Sequence, residues 1–187
     1  ADDNGRVFER AQISNNVAQG TGDDPNAEAV SITIKPPPDL VPTALSVTPS
    51  GNLNTLKSGQ DATVSWTVEN QGSGEPYGGQ RSWNDRIYLS PDSSLDTDSD
   101  TRLGRLSAGS ALQPDSSYDR SRAVTLPNGI SGTYHVFLVT DEGNRVFEFA
   151  GGSRANGNNT SATNALNVTL TSPPNLEVRT SALQLSH

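Results

Sequence analysis

Hydrophobic and polar residues alternate over short stretches of the chain. In DATVSWTVEN, apolar residues separated by polar neighbours stand at every second position: Ala62, Val64, Trp66 and Val68. This is the pattern of a strand with one face in a core, and Trp66 is predicted to anchor that core. Four further stretches repeat the period of two: residues 87–89, 124–126, 134–138 and 166–170. The chain is therefore predicted to consist mainly of short β-strands.

The stretches between the predicted strands are rich in residues that favour turns. NQGSGEPYGG, LPNGISG and GGSRANGNN combine glycine, proline and asparagine, which adopt the backbone angles that tight turns need. No stretch shows a sustained helical stripe of apolar residues. Short alternating strands separated by such turns predict an all-β fold in which two antiparallel sheets pack face to face.

The chain contains an internal repeat with a period of about 140 residues. DDNGRVFE at residues 2–9 returns as DEGNRVFE at residues 141–148. VSITIKPPPDL at residues 30–40 returns as LNVTLTSPPNL at residues 166–176. Several ordered matches of this kind are typical of tandem structural units. The chain is therefore predicted to be a segment of a tandem array of such units.

The repeat divides the chain into three predicted parts. Residues 1–35 correspond to the C-terminal strands of a preceding unit, residues 36–173 to a complete sandwich, and residues 174–187 to the first strand of a following unit. Prolines stand at both joints, at residues 36–38 and 173–174, where they favour an extended, semi-rigid connection. The incomplete ends are expected to pair with neighbouring repeats or subunits by strand addition.

Composition argues against several classes of function. The chain has 187 residues with 21 acidic and 13 basic side chains, for a formal net charge of -8, which repels the phosphate backbone of nucleic acids. Cysteine is absent, so disulfides, thiolate metal sites and cysteine nucleophiles cannot form. No apolar run reaches the ~18 residues that a membrane span needs. Neither a nucleic-acid partner nor a membrane span within this segment is expected.

The acidic stretch SLDTDSDTRLG is a candidate calcium loop. It places Asp96, Asp98 and Asp100 at alternate positions, and Ca²⁺ binds about 6 to 8 oxygen ligands, often from carboxylates. The stretch is not an EF-hand loop, because it lacks the glycine and the final glutamate of that motif. Asp92 in the same stretch and Asp85 on the preceding strand are the candidates to complete the ligand set. The alternative is a solvated acidic turn whose charge discourages pairing between sheet edges.

A second acidic group follows the strand YHVFLV. Asp141, Glu142 and Asn144 belong to the sequence DEGN, a composition typical of a tight turn with left-handed backbone angles. Glu148 is predicted to form a surface ion pair with nearby Arg145, an interaction that contributes little stability. In the alternative interpretation, the same oxygens bind calcium at a joint between units.

Catalytic groups are sparse, and aromatic residues offer a limited sugar-binding surface. His135 is the only histidine apart from the last residue, and no nucleophile motif accompanies it, so no enzymatic role is expected. Trp83, Tyr77 and Tyr88 lie near the acidic stretch and, if exposed, would present flat rings to a polysaccharide. The alternative is that Trp83 and Tyr88 pack into the sandwich, as strand aromatics commonly do.

Five segments carry a family likeness in their order and spacing: DLVPTALSVTPS, SGQDATVSWTVENQGSG, WNDRIYLSPDSSLDTDSDTRLG, SGTYHVFLVTDEGNRVFE and NNTS. Over residues 39–170 the chain resembles the CARDB family, a cell-adhesion-related domain found in bacteria, with a partial second copy at the N-terminus. The resemblance implies an immunoglobulin-like β-sandwich that is used as a tandem repeat in secreted or surface-anchored prokaryotic proteins.

The predicted function follows from the repeat and the resemblance together. The chain is expected to be a structural or adhesive module of a large extracellular prokaryotic protein, acting as a rigid spacer or fibre-forming unit, with calcium as the candidate stiffening cofactor. Its expected partners are neighbouring repeats or subunits and cell-surface or matrix polysaccharide. The alternative function is an accessory carbohydrate-binding module of a secreted hydrolase, which requires an exposed Trp83.

Overall fold

The fold is seen in a computed structural model that describes residues 35–51, 54–76, 82–109, 111–150, 153–154 and 156–172. The predicted partial units at residues 1–35 and 174–187 lie outside these ranges, apart from Lys35. Within the ranges, no helix is long and apolar enough to cross a membrane.

The described residues form eleven short strands and one turn of 3-10 helix. The strands are β1 (Leu40–Pro49), β2 (Leu56–Lys57), β3 (Asp61–Asn70), β4 (Trp83–Ser90), β5 (Thr101–Gly109), β6 (Ser117–Thr125), β7 (Gly132–Val139), β8 (Phe149–Ala150), β9 (Ser153–Arg154), β10 (Thr160–Ala162) and β11 (Leu166–Thr169). The 3-10 helix is Asn156–Asn158. These segments include no α-helix, and the predicted all-β class is confirmed.

Two sheets pack face to face. The smaller sheet has the strand order β1–β3–β6, and the larger has the order β2–β11–β7–β4–β5, with β10 also paired to β7. The strand pairs of both sheets are antiparallel except β2 and β11, which run parallel. Apolar side chains from both sheets meet in one core that includes Trp66, Ile87 and Leu138. The predicted sandwich is confirmed, with one parallel strand pair that the alternation did not predict.

Strands β3 and β4 differ in how they meet the core. In β3, every second residue is buried from Ala62 to Asn70, as predicted. In β4, all residues except Arg86 are buried, because β4 lies between β5 and β7 and the turn after β7 folds back beside it. Glu142 N in that turn donates to Asn84 O at 3.0 Å.

The end of β11 departs from the prediction. The alternation through residues 166–170 places Leu170 on the buried side of the strand with Val168. Val168 is buried, but Leu170 is 59% exposed. The strand ends at Thr169, so Leu170 lies beyond the last paired residue, and the register of the sheet no longer directs its side chain.

The chain enters and leaves the sandwich at opposite ends. Strand β1 begins at Leu40, and its far end, Pro49, pairs with Ala62 near the start of β3. Strand β11 ends beside that far end, where Ser58 N donates to Thr169 O at 2.8 Å. A strand of ten residues rises about 33 Å. The length of the sandwich therefore separates the entry point from the exit point.

Candidate functional site

The predicted calcium loop is an exposed turn between β4 and β5. Hydrogen bonds from backbone amides to its own aspartate side chains order the turn. Asp92 Oδ1 accepts a hydrogen bond from Ser94 N at 2.8 Å, and Asp96 Oδ1 accepts one from Asp98 N at 3.0 Å. Asp100 Oδ2 accepts one from Asp96 N at 2.8 Å. Three of the four carboxylates thus close short turns of the backbone, as aspartates commonly do in loops.

Asp85 has a different environment, because it is fully buried between the sheets. Its carboxylate accepts hydrogen bonds from Trp66 Nε1 at 2.7 Å, from Thr140 Oγ1 at 2.7 Å and from Tyr118 OH at 2.9 Å. Burial raises the pKa of Asp85, while these hydrogen bonds and the charge of Arg120 lower it. Asp85 is therefore the shared acceptor for three hydrogen-bond donors in the interior of the sandwich.

The structure does not bring the five predicted metal ligands together. None of the partners of Asp85 belongs to the loop, and across the described ranges no group of three or more His, Cys, Asp or Glu side chains is arranged to hold a metal ion. Asp92, Asp96 and Asp100 direct oxygens at separate backbone amides, which does not fit the convergent oxygen shell of Ca²⁺. The calcium assignment for these residues and Asp98 stays a prediction from the sequence, and the directions of the loop carboxylates argue against it.

We expect the folded chain not to bind Ca²⁺. Calcium should then leave the stability of the fold unchanged, because an ion raises the melting temperature only by binding the folded state. Titration of CaCl₂ into the chain is expected to give no saturable heat and no rise in melting temperature beyond that given by MgCl₂. The Asp96→Asn/Asp98→Asn variant is the matched control. A rise that occurs with calcium alone and disappears in this variant would contradict the expectation.

A buried asparagine holds the segment through which the chain enters the sandwich. Asn70 is fully buried, and its Oδ1 accepts hydrogen bonds from Asp39 N at 3.0 Å and Gly72 N at 3.1 Å. Its Nδ2 donates to Gly74 O and Leu112 O, both at 2.8 Å. Every polar valence of the amide is used. One side chain therefore ties the entry segment to the turn after β3 and to the segment before β6.

Two glycines in that turn let the entry prolines lie directly on it. Gly74 N donates to Pro37 O at 3.1 Å, and a Cβ at Gly74 would lie 1.7 Å from Pro36 O. A Cβ at Gly72 would lie 2.5 Å from the carbonyl carbon of Pro38. These distances are too short for any side chain, so the NQGSG sequence is a seat for the proline segment. The segment is packed against the sandwich and is more constrained than the extended connection that was predicted.

Glu148 also holds the segment through which the chain enters the sandwich. Its side chain is 1% exposed, its Oε1 accepts a hydrogen bond from Leu40 N at 2.5 Å, and its Oε2 accepts one from Asn159 Nδ2 at 2.6 Å. The predicted surface ion pair with Arg145 is wrong, because the segment after β7 folds against the start of β1 and takes Glu148 inside. We call five residues the entry lock: Asp39, Leu40, Asn70, Gly74 and Glu148.

The DEGN sequence forms the predicted left-handed turn. Asp141, Gly143 and Asn144 have φ angles of 47°, 98° and 49°. The carboxylate of Asp141 accepts hydrogen bonds from Arg145 N at 3.0 Å and Val146 N at 2.9 Å. Burial raises the pKa of Asp141, and the two backbone hydrogen bonds lower it. The turn thereby directs the following residues back toward the start of β1.

The aromatic residues considered for sugar binding are buried. Trp83 is 1% exposed and Tyr88 is 0% exposed. Trp83 Nε1 donates to Tyr118 OH at 3.2 Å, and Tyr88 OH donates to Glu142 Oε1 at 2.8 Å. Tyr77 lies outside the described residues. A sugar platform built on Trp83 is therefore wrong, because β4 is an inner strand that is covered on both faces.

The environment of Glu148 makes stability depend on pH. Burial raises the pKa of Glu148 from 4.5 to about 7, hydrogen bonds from Asn159 and Leu40 oppose the rise, and the charges of Asp141 and Asp39 add to it. A carboxyl group whose pKa is raised by folding stabilises the fold while it is protonated. That contribution is complete below the ordinary pKa of 4.5 and is lost as the pH rises through about 7.

We expect the free energy of unfolding to fall by on the order of 2 kcal/mol between about pH 5 and pH 8 through Glu148. The Glu148→Gln variant carries no titrating proton, so its stability is expected to change less over that range. Urea unfolding at both pH values measures the difference, with exposed Glu75→Gln as the control. An equal pH dependence in Glu148→Gln and the unsubstituted chain would show that Glu148 is not the titrating group.

Three of the buried polar residues were not recognised from the sequence as structural. Asn70 and Asp85 did have a signal, because each stands in register with apolar core residues of its strand, Asn70 with Val68 and Asp85 with Ile87. A polar residue at an inward position needs partners, so each position predicts a buried hydrogen-bonding group. Glu148 had no such signal, since it lies outside any alternating stretch.

The chain is similar to several solved structures at low sequence identity. No curated protein matches the chain. A CARDB domain from Pyrococcus furiosus, crystallised in complex with di-metal ions, is 19% identical and covers 75% of this chain and 100% of its own, with a TM-score of 0.48. A solution structure of that domain covers 71% and 95% at 19% identity, with a TM-score of 0.45. A β-glucosidase from Listeria innocua is 12% identical and covers 72% of this chain and 16% of its own, with a TM-score of 0.38.

The family follows from the sequence match. The CARDB family model matches residues 37–170, a range that spans the described strands from β1 to β11. The matched range includes the turn that seats the prolines, the buried carboxylates and the NNTS sequence with Asn159. The chain belongs to the CARDB family.

Proposed function

We propose that this CARDB domain is a non-catalytic spacer in an extracellular tandem array, where it holds neighbouring units apart and end to end. The observation that carries the proposal is the placement of entry and exit at opposite ends of the sandwich, with Leu40 at one end and Thr169 at the other. A chain that enters and leaves at one end would fold the array back on itself. Opposite ends extend the array by one sandwich length per unit.

The entry lock supports a stiff connection. Asn70 and Glu148 fix the backbone of Asp39 and Leu40 by buried hydrogen bonds, and the prolines before them lie on the glycine turn. A segment that is hydrogen bonded and packed in this way has few accessible backbone angles. The orientation of the chain as it enters the sandwich is therefore set by the domain and not by a flexible linker.

The strand directions also suit a unit that transmits tension. Tension between the two ends of the sandwich acts along β1 and β11, and tends to slide β1 past β3 and β11 past β2 and β7. When paired strands slide past each other, the hydrogen bonds between them are perpendicular to the motion and must break together. When the strands are instead pulled apart from one end, the hydrogen bonds break one at a time. The geometry favours resistance to pulling along the array.

Single-molecule pulling tests this role. The chain contains no cysteine, so Lys35→Cys and Ser172→Cys provide unique handles at opposite ends, and Ser50→Cys with Ser172→Cys provides a control pair at one end. The first pair is expected to resist to a clearly higher force and to unfold in one step. An equal or lower force for the first pair would contradict the spacer role.

The location and the partners of the domain complete the proposal. The extracellular location and the neighbouring repeats or subunits as partners are supported by the family resemblance and the internal repeat. Strand addition by the chain ends involves residues outside the described ranges and stays a prediction. Calcium is left out of the proposal, because the loop carboxylates do not converge. Carbohydrate binding is left out because Trp83 and Tyr88 are buried.

A further inference from the structure

Arginines gather along one side of the sandwich, although the chain has a net charge of -8. Four exposed arginines lie on β5 and β6, which are the end strands of the two sheets in their hydrogen-bonded order. The two strands are adjacent, since Arg122 Nη1 on β6 donates to Arg105 O on β5 at 3.0 Å. We call these residues the arginine seam: Arg102, Arg105, Arg120 and Arg122.

The seam has a defined geometry. Arg122 lies across Gly104 of β5, where a Cβ would be 2.6 Å from Arg122 Nε, so the glycine makes room for the guanidinium. The guanidinium carbon of Arg120 lies 5.3 Å from the centre of the Tyr118 ring, a distance typical of a cation–π contact. These contacts fix the positions of two positive charges on the surface before any ligand binds.

Within the described residues no ion pair involves the seam, although the charge of Arg120 acts on the buried carboxylate of Asp85. The ion pair in those ranges is Arg86 with Glu142, and it does not include the seam. Arg102 donates to Thr97 O, Arg120 to Asp119 O and Arg122 to Arg105 O. Backbone carbonyls orient a guanidinium but leave its charge in place. Guanidinium groups in fixed positions are well suited to bind carboxylates.

We propose that the arginine seam binds the acidic loop, residues 92–100, of a second copy of this chain. Asp92, Asp96 and Asp98 of that loop are exposed, and the hydrogen bonds within the loop hold it in one shape. The loop is thus a preorganised group of carboxylates that matches a preorganised group of arginines. Complementary charged patches of this kind determine register and partner choice between proteins.

The proposed contact joins two copies of the chain. Within one chain, Arg102 reaches the loop through the carbonyl of Thr97, while Arg105 and Arg122 lie farther along the strands. A two-fold arrangement places the loop of each copy on the seam of the other, so both contacts form at once. This lateral association does not depend on the spacer role, because it needs only two copies of the domain.

Sedimentation velocity on the 187-residue chain tests the proposal. In about 20 mM NaCl we expect concentration-dependent dimers, and in about 300 mM NaCl we expect at least ~10-fold weaker association, because salt screens exposed charges. A monomer at both salt concentrations would overturn the proposal, as would association that salt does not weaken.

Two charge-reversal variants identify the surfaces. Arg105→Glu/Arg122→Glu reverses the seam and Asp92→Lys/Asp98→Lys reverses the loop, and each variant alone is expected to be monomeric with an unchanged circular dichroism spectrum. A mixture of the two should form heterodimers, since the intact loop of one meets the intact seam of the other. Arg105→Glu alone serves if the double seam variant does not fold. Failure of the mixture to associate, or binding of a sulfated polysaccharide by the unsubstituted chain without self-association, would overturn the proposal.

Discussion

Replacing Asp85 by alanine is expected to lower the free energy of unfolding by about 3–5 kcal/mol. The Asp85 carboxylate accepts hydrogen bonds from Trp66 Nε1, Tyr118 OH and Thr140 Oγ1. The substitution leaves these three donors without that acceptor in the centre of the sandwich, and each unpaired buried donor costs about 1–3 kcal/mol. Urea unfolding monitored by the fluorescence of the two tryptophans measures the change.

The Asp85 prediction has an isosteric variant and an exposed control. Asp85→Asn keeps one acceptor oxygen and removes a charge that burial disfavours, so we expect it to cost about half as much as the alanine substitution. Asp119→Ala removes an exposed carboxylate and is expected to change stability by no more than about 0.5 kcal/mol. A similarly small change for Asp85→Ala would show that Asp85 does not organise the core.

Replacing Asn70 by alanine is expected to lower the free energy of unfolding by about 2–4 kcal/mol. The substitution removes four hydrogen bonds at once and leaves the amides of Asp39 and Gly72 and the carbonyls of Gly74 and Leu112 without that partner. It also releases the entry segment, whose contacts extend over the turn after β3. Urea unfolding measures the loss of stability.

Two variants separate the hydrogen bonds of Asn70 from other effects. Asn70→Asp keeps the acceptor oxygen but replaces the amide donor that faces Gly74 O and Leu112 O, so it is also expected to be destabilising. Asn54→Ala, at an exposed position before β2, is the neutral control. Full stability of Asn70→Ala would mean that the entry segment is held without this side chain.

Much of the fold could be predicted because the core pattern is local in sequence. Alternation in DATVSWTVEN placed Trp66 and its apolar neighbours in the core, and the same reasoning applies to the inward register of Asn70 and Asp85. Alternation alone did not predict where β11 ends, so Leu170 was placed on the wrong side. It also could not decide whether Trp83 and Tyr88 are core residues or an exposed sugar-binding surface. That depends on whether neighbouring strands cover both faces of β4.

The entry lock could not be predicted, because its contacts join distant parts of the chain. Glu148 and Leu40 are 108 residues apart, and Asn70 and Leu112 are 42 residues apart. The sequence showed the prolines and the glycine-rich turn, but it did not show that the prolines pack on that turn. In the acidic loop, the spacing of the aspartates was visible, whereas the direction of each carboxylate depends on which backbone amide it accepts from.

Amide hydrogen exchange of the unsubstituted chain tests most directly whether the entry segment is part of the folded domain. The amides of Asp39, Leu40 and Gly74 donate to Asn70, Glu148 and Pro37. If the entry segment unfolds only when the whole sandwich unfolds, these amides will exchange at rates within about tenfold of those in the centre of β3. Exchange as fast as in an exposed turn, while β3 stays protected, would show that the entry segment is a flexible linker.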